Sequence, residues 1–172
     1  MKTNSALVCL FNNYSRNVSK LLGDKLDMFY VDVEDMLDFE LGDIEHIKDV
    51  LGDVEGANYI NRSREKVIES ICGFENTVIT MDPSVLFESK TYKKVSNSCY
   101  IVYLQISPKY FESRAKSSSD HIPDDLLGIA FSERDKQYVE GSDIVVDCSK
   151  LKETKATKKI IGQIKKMFKA NS

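Results

Sequence analysis

The sequence predicts an α/β domain in which helices cover both faces of a parallel sheet. Two observations predict it. Five short apolar runs rich in β-forming residues recur along the chain, and runs this apolar suit strands buried on both faces. The segments between them carry apolar residues at helical spacing, which gives the strand–helix alternation of βαβ units with right-handed crossovers. A length of 172 residues is about one domain. Nothing in the composition marks a second, so residues 1–172 are read as one unit.

The first run is Ala6–Phe11. A helix follows, because Val18, Leu21, Leu22 and Leu26 line one face. Met28–Val33 is the second run. Ile60, Val67, Ile68 and Ile71 lie in another helix, which Gly73 can stop. Thr77–Met81 and Cys99–Ile106 are the third and fourth runs. Pro108 suits the first turn of a further helix, where its missing N–H costs nothing. Ser117–Ser119 and the following Asp120–Asp125 read as a surface loop. Ile144–Asp147 is the fifth run. In the last helix Ile160, Ile161, Ile164, Met167 and Phe168 form an apolar stripe, and Lys158, Lys159, Lys165, Lys166 and Lys169 fall mostly off it.

The formal charge of −3 is small, but its distribution is uneven. Asp24–Glu55 is strongly acidic, whereas Lys150–Lys169 holds eight lysines and one acid, Glu153. This split reads as two solvated faces of one soluble domain, either of which could meet a partner. Neither nucleic acid nor a membrane is expected. The four cysteines, Cys9, Cys72, Cys99 and Cys148, have no CxxC spacing, and three sit in apolar runs. Free thiols in a reducing cytoplasm are expected, with no disulfide framework and no zinc. His46 and His121 have no cysteine near them in sequence. Ala6–Phe11 is too short for a signal peptide, and no segment approaches the roughly 20 apolar residues of a membrane span.

Four motifs occur in order at compatible spacing. Val102-Tyr103-Leu104-Gln105-Ile106-Ser107-Pro108 is followed by Arg114, six residues past the proline. Glu133-Arg134-Asp135-Lys136-Gln137-Tyr138 precedes Asp143-Ile144-Val145-Val146-Asp147. Phe29-Tyr30-Val31-Asp32-Val33-Glu34 ends the second run, and Arg64-Glu65-Lys66-Val67-Ile68 lies before the third. Together they resemble the shikimate kinase family, over about Ala6 to Phe168. The resemblance implies a three-layer α/β/α fold of the P-loop kinase type, with a five-stranded parallel sheet in the order 2-3-1-4-5.

Such kinases cradle phosphates with a glycine-rich loop, because backbone N–H groups must approach the oxygens closely. A lysine reaches the β- and γ-phosphates, and a hydroxyl holds Mg²⁺. Here the place between the first strand and first helix holds Cys9-Leu10-Phe11-Asn12-Asn13-Tyr14-Ser15-Arg16. Without gaps, the bracketing glycines become Cys9 and Tyr14, the lysine Ser15 and the hydroxyl Arg16. No glycine occurs before Gly23. Asn12, Asn13, Tyr14, Ser15 and Arg16 therefore form a degenerate loop, in which a tyrosine would crowd a phosphate and the β-carbons oppose left-handed turns. Arg16 still offers a positive charge, and Asn13 or Ser15 can cap the helix.

The resemblance also implies an eroded acceptor site. The glycine triplet after the third strand becomes Asp82-Pro83-Ser84. The substrate-binding arginine falls on Asn61, with Arg62 and Arg64 nearby, and no lid arginine is found between Ala115 and Glu133. Matching positions that survive are Asp32 for metal, Glu34 and Arg134 for substrate, and Arg114 near the adenine. Each has an ordinary reading as well: Asp32 as a helix cap, Glu34 as a solvated acid, and Arg134 and Arg114 as surface partners of nearby acids.

The expectation is a pseudokinase that has lost ATP-dependent phosphoryl transfer and serves by binding. Its partner would be another protein or a small acidic metabolite in the residual cleft, with Arg134 and Arg62 as anchors. No cofactor is expected. The alternative is an active or residual small-molecule kinase that uses ATP and Mg²⁺ through an atypical loop, with Asp32 on the metal, Arg16 on phosphate and Arg134 on a substrate carboxylate.

Overall fold

The computed structural model describes residues 2–9, 12–109 and 124–170. Five strands form one parallel sheet: β1 (Asn4–Val8), β2 (Phe29–Asp32), β3 (Thr77–Met81), β4 (Cys99–Gln105) and β5 (Ile144–Asp147). The strand order is β2-β3-β1-β4-β5, the arrangement the motifs implied. Seven helices are described: α1 (Asn12–Leu26), α2 (Val33–Leu41), α3 (Ile44–Leu51), α4 (Asp53–Cys72), α5 (Ser89–Ser98), α6 (Asp124–Glu140) and α7 (Glu153–Ala170). A 3₁₀ turn, Pro83–Leu86, follows β3.

The central strands are buried on both faces, as their continuous apolar character requires. Along β1, Ala6 and Val8 face one layer while Leu7 and the following Cys9 face the other. Along β4, Ile101 and Tyr103 alternate likewise with Val102 and Leu104. Register aligns the layers: Ala6 lies opposite Ile79 on one side and Ile101 on the other. The first layer is closed by Leu37 of α2, Val67 and Ile71 of α4, and Val95 of α5. The second is closed by Val18 and Leu22 of α1 and by Ala156, Ile160 and Ile164 of α7. Burying one such aliphatic side chain is worth about 1.5–3 kcal/mol.

β1 begins two residues before its apolar run, because Asn4 and Ser5 are buried despite being polar. Asn4 earns that place with two hydrogen bonds. Its amide donates to the Phe74 carbonyl (2.6 Å) and its carbonyl accepts from Thr77 N–H (2.9 Å), which fixes the start of β3 against β1. The acidic stretch after β2, read as a solvated face, is wound into α2 and α3. Each has an aspartate N-cap, Asp32 and Asp43, and a glycine C-cap at positive φ, Gly42 and Gly52. Pro108 and Lys109 are helical. Asp124 and Asp125 open α6 instead of ending a loop. The rest of the expected loop, Ser117–Ser119 and the residues after it up to 123, lies outside the described residues.

Candidate functional site

In open parallel α/β sheets the crevice beyond the carboxyl ends of the strands is where ligands bind. Here that crevice is built from the ends of β1, β2 and β3. α1 begins at Asn12, so Asn12–Arg16 form its first turn and not an extended loop. Ser15 is fully buried and Asn13 exposed. Tyr14 packs against the layer that holds Cys9 and Cys148, and its phenol donates to the Leu151 carbonyl (3.1 Å). Burial, then the neighbouring Cys148, pushes the phenol far above its usual range. Burial likewise pushes the Cys148 thiol up to about 11. The crowding expected from Tyr14 is thus aimed at the β5–α7 connection, on the far side of β1 from Asp32.

Arg16 turns the other way, toward the end of β2. Its Nε donates to Asp32 Oδ2 (2.9 Å) and its Nη2 to Asp32 Oδ1 (3.0 Å), a bidentate pair. The same Nη2 lies 2.9 Å from Asp35 Oδ1. Hydrogen bonding to Asp32 raises the guanidinium's pKa against a smaller effect of partial burial, and the charges of Asp32 and Asp35 add to it. The Asp32 side chain is only 2% exposed. Its Oδ1 also accepts from Glu34 N–H (3.0 Å) and Asp35 N–H (3.1 Å), capping α2, and its Oδ2 accepts from the Tyr30 phenol (3.3 Å). Desolvation is the main cause that lifts Tyr30 to about 12.

A second clamp lies beside the first. Arg64 of α4 donates through Nε to Glu34 Oε1 (3.0 Å) and through Nη2 to Oε2 (3.1 Å), while Nη1 donates to Asn61 Oδ1 (3.0 Å). Burial alone would lower this guanidinium, but hydrogen bonding to Glu34 and the charges of Glu34, Asp82 and Glu88 hold it above its usual range. The clamp walls a cavity of about 80 Å³ that is lined, among the described residues, by the carboxylates of Glu34, Glu65, Asp82 and Glu88 and by one cation, Arg64. Asp82 caps the 3₁₀ turn by accepting from Ser84 N–H (2.8 Å).

Of the arginines weighed for this cleft, Arg64 enters it and Arg62 does not. Arg62 is exposed on α4 and does not line the cavity. The signal was available: Arg64 is three residues past Asn61, nearly one turn, so it returns to the same helix face, whereas one residue rotates the side chain by about 100°. Replacing Arg64 with alanine is therefore expected to cost about 1–2 kcal/mol, since Glu34 loses a partly exposed bidentate partner. Arg62→Ala is expected to change stability by less than about 0.5 kcal/mol. Urea midpoints of the two variants check this, and equal losses would contradict it.

Arg134 is exposed on α6 and does not line the cavity of the second clamp. Glu140, one of the acids on the same helix, lies 3.9 Å from Lys136. Arg114 lies outside the described residues. Sequence reasoning missed Asp35, which shares Arg16, and Asp135. Asp135 accepts from the Tyr103 phenol (2.9 Å) and from Gln105 Nε2 (2.9 Å), tying α6 to β4. None of the four cysteines is in a disulfide: Cys9, Cys99 and Cys148 are buried thiols, and Cys72 is a partly exposed one. Among the described residues no group of three or more His, Cys, Asp or Glu gathers as a metal site, and no helix is long and apolar enough to cross a membrane.

Fold and crevice define a P-loop-kinase-type α/β protein, and solved structures agree. Shikimate kinase from Aquifex aeolicus superposes with a TM-score of 0.79 at 21% identity, covering 94% of this chain and 96% of that one. Shikimate kinase from Acinetobacter baumannii, solved in complex with shikimate, gives 0.75 at 17% identity over 95% and 93%. Dephospho-CoA kinase from Campylobacter jejuni shares the fold more loosely, at 0.63 and 10% identity. The sequence profile described as shikimate kinase matches residues 16–165, and the chain belongs to that family. Comparison with curated protein sequences finds no match.

Proposed function

We propose that this family member has lost ATP-dependent phosphoryl transfer and acts by binding a protein partner. The observation that carries the proposal is the Arg16–Asp32 pair. Family resemblance puts a metal-holding hydroxyl at position 16 and a metal-holding carboxylate at position 32. Here the first is a guanidinium seated on the second. Five donors already reach the two Asp32 oxygens, and a carboxylate offers about four lone-pair sites. A hydrated Mg²⁺ would have to displace Arg16 and would then meet its positive charge. The residues present do not fit ATP–Mg²⁺.

Two further features support the reading. Helix α1 starts at Asn12, so Asn12–Arg16 of the segment that would wrap phosphate are helical, while Leu10 and Phe11 lie outside the described residues. The lysine position is a buried serine, Ser15. The acceptor side argues against an acidic metabolite as the ligand, since among the described residues four carboxylates line it with one guanidinium that Glu34 already holds.

A protein partner suits the surface of α2, α3 and the start of α4. Phe39 is 90% exposed, Val54 75% and Val50 66%, among Asp35, Asp38, Glu40, Asp49, Asp53 and Glu55. Exposed apolar side chains set among acids suit a basic, apolar segment. The cytoplasm is the compartment proposed, where the thiols stay reduced.

A coupled ADP-release assay with shikimate tests the loss of activity. The expected rate equals the protein-free blank. Turnover that Asp32→Ala abolishes would restore the kinase reading, with Asp32 on the metal and Arg16 on phosphate.

A further inference from the structure

Two of the four thiols meet at the opposite end of the sheet from the crevice. Cys72 is the last residue of α4 and Cys99 the first of β4. Cys72 packs against the core layer that contains Cys99, and Phe74, two residues past Cys72, accepts a hydrogen bond from Asn4, which lies opposite Cys99 in the sheet register. An ion pair from Lys94 of α5 to Glu69 of α4 (2.7 Å) joins the two helices within a turn of Cys72. Access differs between them. Cys99 is fully buried, whereas Cys72 is partly exposed at the helix end.

The electrostatics run the same way. Interaction with the Cys99 side chain, ahead of an opposing effect of burial, lowers the pKa of Cys72, and Ser98 and the Lys94 charge assist. The Cys99 thiol is pushed up by its interaction with Cys72 and by burial. An accessible thiol with more thiolate character, next to a second thiol that can resolve it, is the arrangement of an oxidation-sensitive pair.

We infer that Cys72 and Cys99 are a redox modification site that closes to a reversible disulfide when the protein meets a peroxide. The Cys72 thiolate attacks one peroxide oxygen. The O–O bond breaks, hydroxide leaves, and the sulfur is oxidised to a sulfenic acid. The Cys99 thiol then attacks that sulfur, the S–S bond forms, and water leaves as the S–O bond breaks. Two thiols and one hydrogen peroxide give one disulfide and two waters. The product pins the end of α4, the helix that carries Asn61 and Arg64, to the first residue of β4. Cys9 and Cys148, at 0% and 4% exposure, stay reduced and serve as internal controls.

The test is brief treatment of the full folded chain with hydrogen peroxide near stoichiometry, alkylation in denaturant, and peptide mapping without reduction. The expected result is a Cys72–Cys99 linked peptide pair, a fall in free thiols from four to two, and recovery of all four with dithiothreitol. Cys72→Ser, at a partly exposed position, should give no linked pair and keep its remaining thiols. In Cys99→Ala the Cys72 sulfenic acid should persist and be trapped by dimedone. Wild-type protein that keeps four free thiols, or that carries sulfinic acid at Cys72 without a linked pair, would overturn the inference whatever the variants do.

Discussion

Asp32→Ala is expected to lower the stability of this protein by about 3 kcal/mol, because one substitution removes several interactions at a buried position. The side chain is 2% exposed and holds Arg16 bidentately, two α2 backbone N–H groups and the Tyr30 phenol. Losing the cap alone costs about 0.5–2 kcal/mol. Leaving Arg16 beside only the exposed Asp35 adds to that. In a chain of this size the loss corresponds to a fall in Tm of about 6–12 °C. Asp32→Asn keeps the cap and the shape but not the counter-charge, so about 1–2 kcal/mol is expected. Thermal and urea unfolding of both variants read this. An aspartate kept open for a metal would behave differently: its removal would leave stability nearly unchanged or raise it, since active sites commonly trade stability for function. Unchanged Tm in Asp32→Ala would therefore contradict the claim that Arg16 and Asp32 are a structural pair.

Asp135→Ala is expected to cost about 2–3 kcal/mol, and for a reason that its surface position on α6 does not suggest. The Tyr103 phenol is fully buried and donates to Asp135, as does Gln105. Removing the acceptor leaves a buried hydroxyl unpaired, which costs more than the hydrogen bond itself contributes. Tyr103→Phe removes the donor as well, so the double variant should be less destabilised than the sum of the single ones. The expected coupling is about 1 kcal/mol. Strict additivity in denaturant unfolding would contradict the assignment. The pair matters to the fold because its bonds seat α6 on β4.

Much of the fold was legible because burial on both faces writes a strand as an uninterrupted apolar run, and Thr77–Met81 and Ile144–Asp147 stand where their runs placed them. The start of β1 was not, since Asn4 is buried by virtue of bonds to Phe74 and Thr77, partners about seventy residues away. Helices α2 and α3 hid in an acidic stretch, although Asp32, Gly42, Asp43 and Gly52 are cap residues in the right places. In the crevice, the loss of glycines and lysine could be read residue by residue. The use of Arg16 could not, because its partner Asp32 sits on another element and only the parallel pairing of β2, β3 and β1 brings the two together. A gapless match puts the family's arginine on Asn61, and Arg64, nearly one turn on, shares that helix face and lines the same cavity, whereas Arg62 does not. Asp135 was unreadable for the reason Arg16 was: its donors lie about thirty residues back, on β4.

Isothermal calorimetry of the full chain with ATP and excess Mg²⁺ bears most directly on whether the cation place at Asp32 is taken by the chain itself. No heat beyond dilution is expected up to millimolar nucleotide. Saturable binding with a micromolar Kd would mean that Arg16 leaves Asp32 for the metal and that the kinase site is intact.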